Sequence, residues 1–153
     1  MPDDDSALAS YATQLAAAVE AALGAWVVRT VTDRAPAYEA DAMAAADRCV
    51  AETMPRLREL LATDIDRQRT TPLAILRSCV TYPTEVLVSA GVPVIRRDAL
   101  DSARDPDDIY SAAVATWADL GAEVASAGIS WGAAKAHVHL ARRRAQDPGG
   151  GPS

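Results

Sequence analysis

The chain has 153 residues, half of them hydrophobic but only 5% aromatic, with no phenylalanine. That length suits one domain with a single core, and that hydrophobicity excludes disorder of the whole chain. Fifteen basic residues against twenty-one acidic ones give a net charge of −6, which disfavours a general nucleic-acid role because phosphate backbones are repelled.

An interior left to alanine, leucine and valine argues against an all-β sandwich, and the apolar spacing is helical from the start. Leu8, Tyr11, Leu15, Val19, Ala22, Trp26 and Thr30 follow steps of three and four, which predicts a first helix from Ser6 to about Asp33. Ser6, behind Asp3, Asp4 and Asp5, is the expected N-cap. Val27, Val28 and Val31 widen the stripe, so that end should be covered on two sides.

A second helix is expected from Pro36, with Met43, Ala46, Val50, Met54, Leu57, Leu61 and Ile65 along one face. Pro55 interrupts it without resetting the phase, which predicts one kinked helix or two abutting ones. Arg67-Gln68-Arg69 ends it. Thr71 and Pro72 then form a start signal for a helix carrying Leu73, Leu76, Val80, Pro83, Leu87 and Ala90, with Gly91 as its stop. Pro83 should kink that helix and leave the Cys79 carbonyl without its usual partner.

From Val92 to Asp105 the pattern lapses into a connection. Asp105 and Pro106 open a short helix with Ile109, Ala113, Trp117 and Leu120 on its apolar face. Gly121 and Gly128 punctuate a less regular stretch, and Ser130 is the expected cap of a final helix reaching about Ala145. Only Val86 to Ile95 has any strand character. The predicted fold is all-α: a single-domain bundle of five to six helices, some kinked at prolines. Residues 1–5 form an acidic tail, 6–146 the domain, and 147–153 a disordered tail.

Motifs for chemistry are scarce. His137 and His139 stand about 200° apart on a helix, so they point apart, and no HExxH string accompanies them. There is no GxSxG, GxxxxGK[ST] or GxGxxG string. Asp105 to Asp108 is better explained as a helix start than as half a calcium loop. Cys49 and Cys79 lie near apolar stripes without CxxC spacing and are expected to be small buried hydrophobes rather than a disulfide. No catalytic residue, metal or cofactor is predicted. Arg142-Arg143-Arg144 suits the negative end of a helix dipole better than a nucleic-acid contact.

One constellation remains. Trp131, Lys135, Val138, His139 and Arg142 share an arc of roughly 100° of the last helix. On a structural reading Trp131 and Val138 enter the core while Lys135, His139 and Arg142 reach out at its rim. On a functional reading the face binds an anion or a partner, with Asp107, Asp108 or Asp119 as counter-charges.

The strings Gln68-Arg69-Thr70-Thr71-Pro72-Leu73, Tyr82-Pro83-Thr84-Glu85-Val86-Leu87 and Ala90-Gly91-Val92-Pro93 resemble a family of small uncharacterised actinobacterial proteins. So do Pro106-Asp107-Asp108-Ile109-Tyr110, Ala115-Thr116-Trp117-Ala118-Asp119 and Gly128-Ile129-Ser130-Trp131-Gly132-Ala133-Ala134-Lys135-Ala136. The chain departs from that pattern at Asp105, where the family has an aromatic residue, and at Gly121, where it has an aspartate. The resemblance implies a lineage, which arginine- and alanine-rich composition supports, and no activity.

These readings predict a non-enzymatic helical interaction protein that self-associates through alanine-lined faces. The alternative is a small-ligand-binding protein or enzyme whose site lies between the last helix and the Asp105–Tyr110 segment, using Trp131, Lys135, His139 and Asp108. A DNA-binding regulator is disfavoured by the acidity and by the lack of a helix-turn-helix pattern. The acidic start lacks the charge and apolar stretch of a secretory leader, and no run of about 18 apolar residues is visible, so a cytoplasmic protein without a membrane span is expected.

Overall fold

The computed structural model describes residues 4–63, 71–92 and 112–146. It is all-α, with no strand among the described residues; Val86 to Val92, the described part of the strand candidate, is helix and helix stop. The helices are α1 (Asp4–Thr32), α2 (Glu39–Ala62), α3 (Pro72–Ser78), α4 (Thr81–Ser89) and α5 (Ala122–Gln146). A 3₁₀ turn at Pro36–Tyr38 leads into α2, and another at Trp117–Asp119 precedes α5. Because α3 and α4 are two pieces of one broken rod, the described residues make four rods, where the apolar spacing predicts five to six helices.

Helix α1 is the centre of the bundle, packed along α2 and α5 and touching α4. Leu15, Val19, Leu23, Val27 and Val31 are wholly buried, and Trp26 is 4% exposed. Two-sided coverage also explains why α1 is apolar around most of its circumference. Its Ser6–Thr32 stretch is long and apolar enough to cross a membrane, contrary to the expectation that no segment is, yet nearly half of it is buried inside the bundle. Ser6 lies inside the helix rather than capping it, since α1 already includes Asp4 and Asp5.

Helix α2 runs unbroken through Pro55, so the one-helix alternative holds. Ala46, Met54, Leu57 and Leu61 face the core as their spacing predicts, whereas Met43 is 55% exposed. Thr71 caps α3, its side chain accepting from the Ala74 N–H at 3.2 Å, with Pro72 next in line.

The expected Pro72–Gly91 helix is instead broken at Cys79–Val80. Pro83 therefore occupies the first turn of α4, where no intrahelical bond is asked of its missing N–H. The Cys79 carbonyl is not left empty either, because the Tyr82 N–H reaches it at 3.1 Å. Gly91 closes α4 at a φ of +79°. The Val92 N–H returns to the Leu87 carbonyl and the Gly91 N–H to the Val88 carbonyl, both at 3.0 Å, a Schellman stop.

The short helix expected from Asp105 falls mostly outside the described residues. Where it enters them, Trp117 belongs to the 3₁₀ turn and Leu120 is the residue that closes it; neither is part of an α-helix. The Asp119 carboxylate caps that turn, accepting from the Thr116 N–H at 2.8 Å and the Ala115 N–H at 2.9 Å. Gly121 follows at a φ of +145°, a conformation that favours glycine. Helix α5 then starts at Ala122 and passes through Gly128 and Ser130, so Ser130 is no cap. The 147–153 tail and residues 1–3 lie outside the described residues.

Candidate functional site

At one end of the bundle α1 presents Ala9, Ala12, Thr13, Ala16 and Ala17, with Leu8 the one large side chain, where further along it presents Leu23, Trp26 and Val27. Small side chains leave the space between packed helices unfilled. The result is a cleft of about 590 Å³ walled by that face of α1, by Arg58, Leu61, Ala62 and Thr63 of α2, and by Lys135, Val138, His139 and Arg142 of α5. Most of its wall is apolar. Its polar groups are mainly basic, and none of the described lining residues is acidic.

Each basic group is held differently. Arg58 pairs with Glu20 of α1 across the α1–α2 seam, with both side chains about half exposed. Lys135 stacks its ammonium over the Trp131 ring, 5.1 Å from the centroid, a cation–π contact that fixes the side chain along the helix. His139 and Arg142 stand on the same face one and two turns on, both exposed. Val138 between them is buried and continues the apolar floor.

The expected constellation is thus partly assembled. Lys135, Val138, His139 and Arg142 converge on one cleft, and Trp131 lies one turn back, 7% exposed, supporting Lys135 rather than lining the wall. The Trp131 indole N–H is buried with no hydrogen-bond partner among the described residues, an omission that ordinarily costs about 1–3 kcal/mol. Asp107 and Asp108 lie outside the described residues, and the Asp119 carboxylate caps the turn before α5. Among the described residues, the walls facing α5 in this cleft come from α1 and α2; the expected Asp105–Tyr110 segment lies outside the described residues.

Sequence reasoning did not find Arg58, Leu61 or the α1 alanines as site residues. A signal existed in the alanines at 9, 12 and 16, three- and four-residue steps that remove bulk from a single helix face. Among the described residues no three metal-ligating side chains come together. Cys49 and Cys79 are buried as expected. They also meet, which their separation of thirty positions did not announce. No family model matches this chain, and neither a curated protein nor a solved structure does so.

Proposed function

We propose that this protein binds an amphipathic organic anion, a molecule with an acid head and an aliphatic body. The observation that carries this reading is the chemistry of one cleft: alanine and leucine walls on α1 and α2, and Lys135, His139 and Arg142 along its α5 edge. An aliphatic chain gains from leaving water for such walls, at about 0.8 kcal/mol per methylene. A carboxylate or phosphate head gains charge-assisted hydrogen bonds from the basic edge. No catalytic role follows from these groups, so the reading is of binding rather than turnover.

Calorimetric titration with decanoate, below its micelle concentration, tests it. Saturable binding is expected, weakened about tenfold or more in Lys135→Gln, since a hydrogen bond to a charged group is worth about 1.5–3 kcal/mol. Decanol, which keeps the chain and lacks the charge, should bind correspondingly worse. The absence of saturable heat, or equal affinity for decanoate in Lys135→Gln, refutes the reading.

A specific observation favours self-association as a second reading. On the side of α5 away from the cleft, Ile129 is 71% exposed and Leu140 is 50% exposed, and Ala133 and Ala136 between them are exposed too. Steps of four, three and four are the seam spacing of paired helices. A second copy laid antiparallel sets Ile129 against Leu140 and Ala133 against Ala136. It also brings Glu123 in the first turn toward Arg143 and Arg144 in the last. Light scattering at micromolar concentration should give a dimer that Ile129→Glu converts to monomer; a monomeric parent protein rules this reading out.

A further inference from the structure

Away from the cleft lining, α2 meets the break between α3 and α4 at a cluster that ligand binding does not use. Cys49 is wholly buried and Cys79 is 1% exposed. The Thr53 hydroxyl lies 3.4 Å from the Cys79 sulfur and 3.9 Å from that of Cys49, so one hydroxyl touches both sulfurs. Cys79 also donates to the Ile75 carbonyl at 3.6 Å. Over this cluster sits half-buried Tyr82, whose hydroxyl donates to Glu52 and whose ring lies 5.7 Å from the Arg48 guanidinium. Arg48 in turn pairs with Glu85 of α4 at 2.6 Å.

We propose that Cys49 and Cys79 are a reversible redox site for a small peroxide, closing to a disulfide that joins α2 to the α3–α4 break. The break is what permits the meeting, because it sets Cys79 at the end of α3, two residues ahead of α4, facing Thr53 of α2. Three neighbours act in the same direction. The hydrogen bond from Cys49, then that from Thr53, then the Arg56 charge hold the Cys79 thiol down at about 7 against the opposing effect of burial. The Cys49 thiol is pushed up, first by its bond to Cys79 and then by burial, with the Glu52 charge adding to it. The Tyr82 phenol, pushed up to about 12 by burial and by its bond to Glu52, stays neutral alongside.

The chemistry balances. The Cys79 thiolate attacks one oxygen of hydrogen peroxide, breaking the O–O bond, releasing hydroxide and leaving a sulfenic acid. The Cys49 sulfur then attacks the Cys79 sulfur; its own proton and the departing hydroxyl leave as water. Two thiols are oxidised and one peroxide is reduced to two waters. Two equivalents of an external thiol reverse the process.

Intact-mass analysis of the purified full chain after hydrogen peroxide tests this directly. The expected product has lost two hydrogens, shows no alkylatable cysteine once unfolded, and regains both thiols with dithiothreitol. Cys49→Ser should stop at a sulfenic acid on Cys79 that a dimedone-class reagent traps, and Cys79→Ser should give no adduct on Cys49. The trapping rate in Cys49→Ser should rise with pH as the thiolate fills. A parent protein that stays reduced, runs on to sulfinic acid or cross-links between copies overturns the proposal, and that measurement holds whether or not the variants fold.

Discussion

Trp26→Ala is expected to remove about 3–5 kcal/mol of stability, the usual cost of deleting a large aromatic side chain from a packed interior. At this chain length that lowers Tm by roughly 6–20 °C. The reason is position as much as size. Trp26 stands on the central helix, is 4% exposed, and donates its indole N–H to the Ala112 carbonyl at 3.2 Å, tying α1 to the segment that leads into α5. Trp26→Phe separates the two contributions: it keeps most of the ring contact, loses that hydrogen bond, and should cost less than the alanine variant. Thermal unfolding followed by circular dichroism measures both. An unchanged Tm in Trp26→Ala contradicts the described core.

Two glycines on one helix should answer the same substitution with opposite signs. Gly132 has open space around it, so Gly132→Ala should raise stability by about 0.5–1 kcal/mol, the ordinary gain of alanine inside a helix. At Gly128 the added methyl group would sit 2.6 Å from Cγ and 2.7 Å from Nε1 of Trp117. An indole rim has no soft end to bend aside. Gly128→Ala should therefore cost about 1–3 kcal/mol through overpacking, outweighing the backbone gain. Trp117→Leu in the Gly128→Ala background should recover part of the loss, since it removes the ring that the methyl group meets; denaturant titration of the four proteins checks the cycle.

The apolar rhythm made most of the fold legible. Leu15, Val19, Leu57, Leu61, Leu76 and Leu87 are buried where their spacing places them, because a three- and four-residue repeat leaves few other ways to hide them. What it did not convey was where a helix pauses without changing phase. The stripe Leu76–Val80–Pro83–Leu87 stays in register across the Cys79–Val80 break, so nothing in the spacing marks the interruption. The same holds at the start of α5, where Gly128 and Ser130 look like boundary residues but Gly121 is the boundary. Gly128 is small because Trp117 needs the room, a reason visible only in three dimensions.

The candidate site was half legible for a related reason. Lys135, Val138, His139 and Arg142 lie within one helix, and angular arithmetic brings them together. The opposing wall comes from helices more than seventy positions away, and no local pattern says which end of α1 and α2 will face them. The thiol pair was invisible for that reason too: Cys49 and Cys79 each look like filler until the α2–α3 packing sets them side by side.

The distribution of indoles has a spectroscopic consequence. All three tryptophans lie on α1, on α5 or on the turn between, and α2, α3 and α4 carry none. Ultraviolet emission excited at the red edge of the absorption band therefore reports on the surroundings of α1, α5 and the turn before α5, since the proline-bearing helices carry no indole of their own. Comparison with ellipticity, which weighs every helix, then distinguishes a peeling of α5 from collapse of the entire bundle.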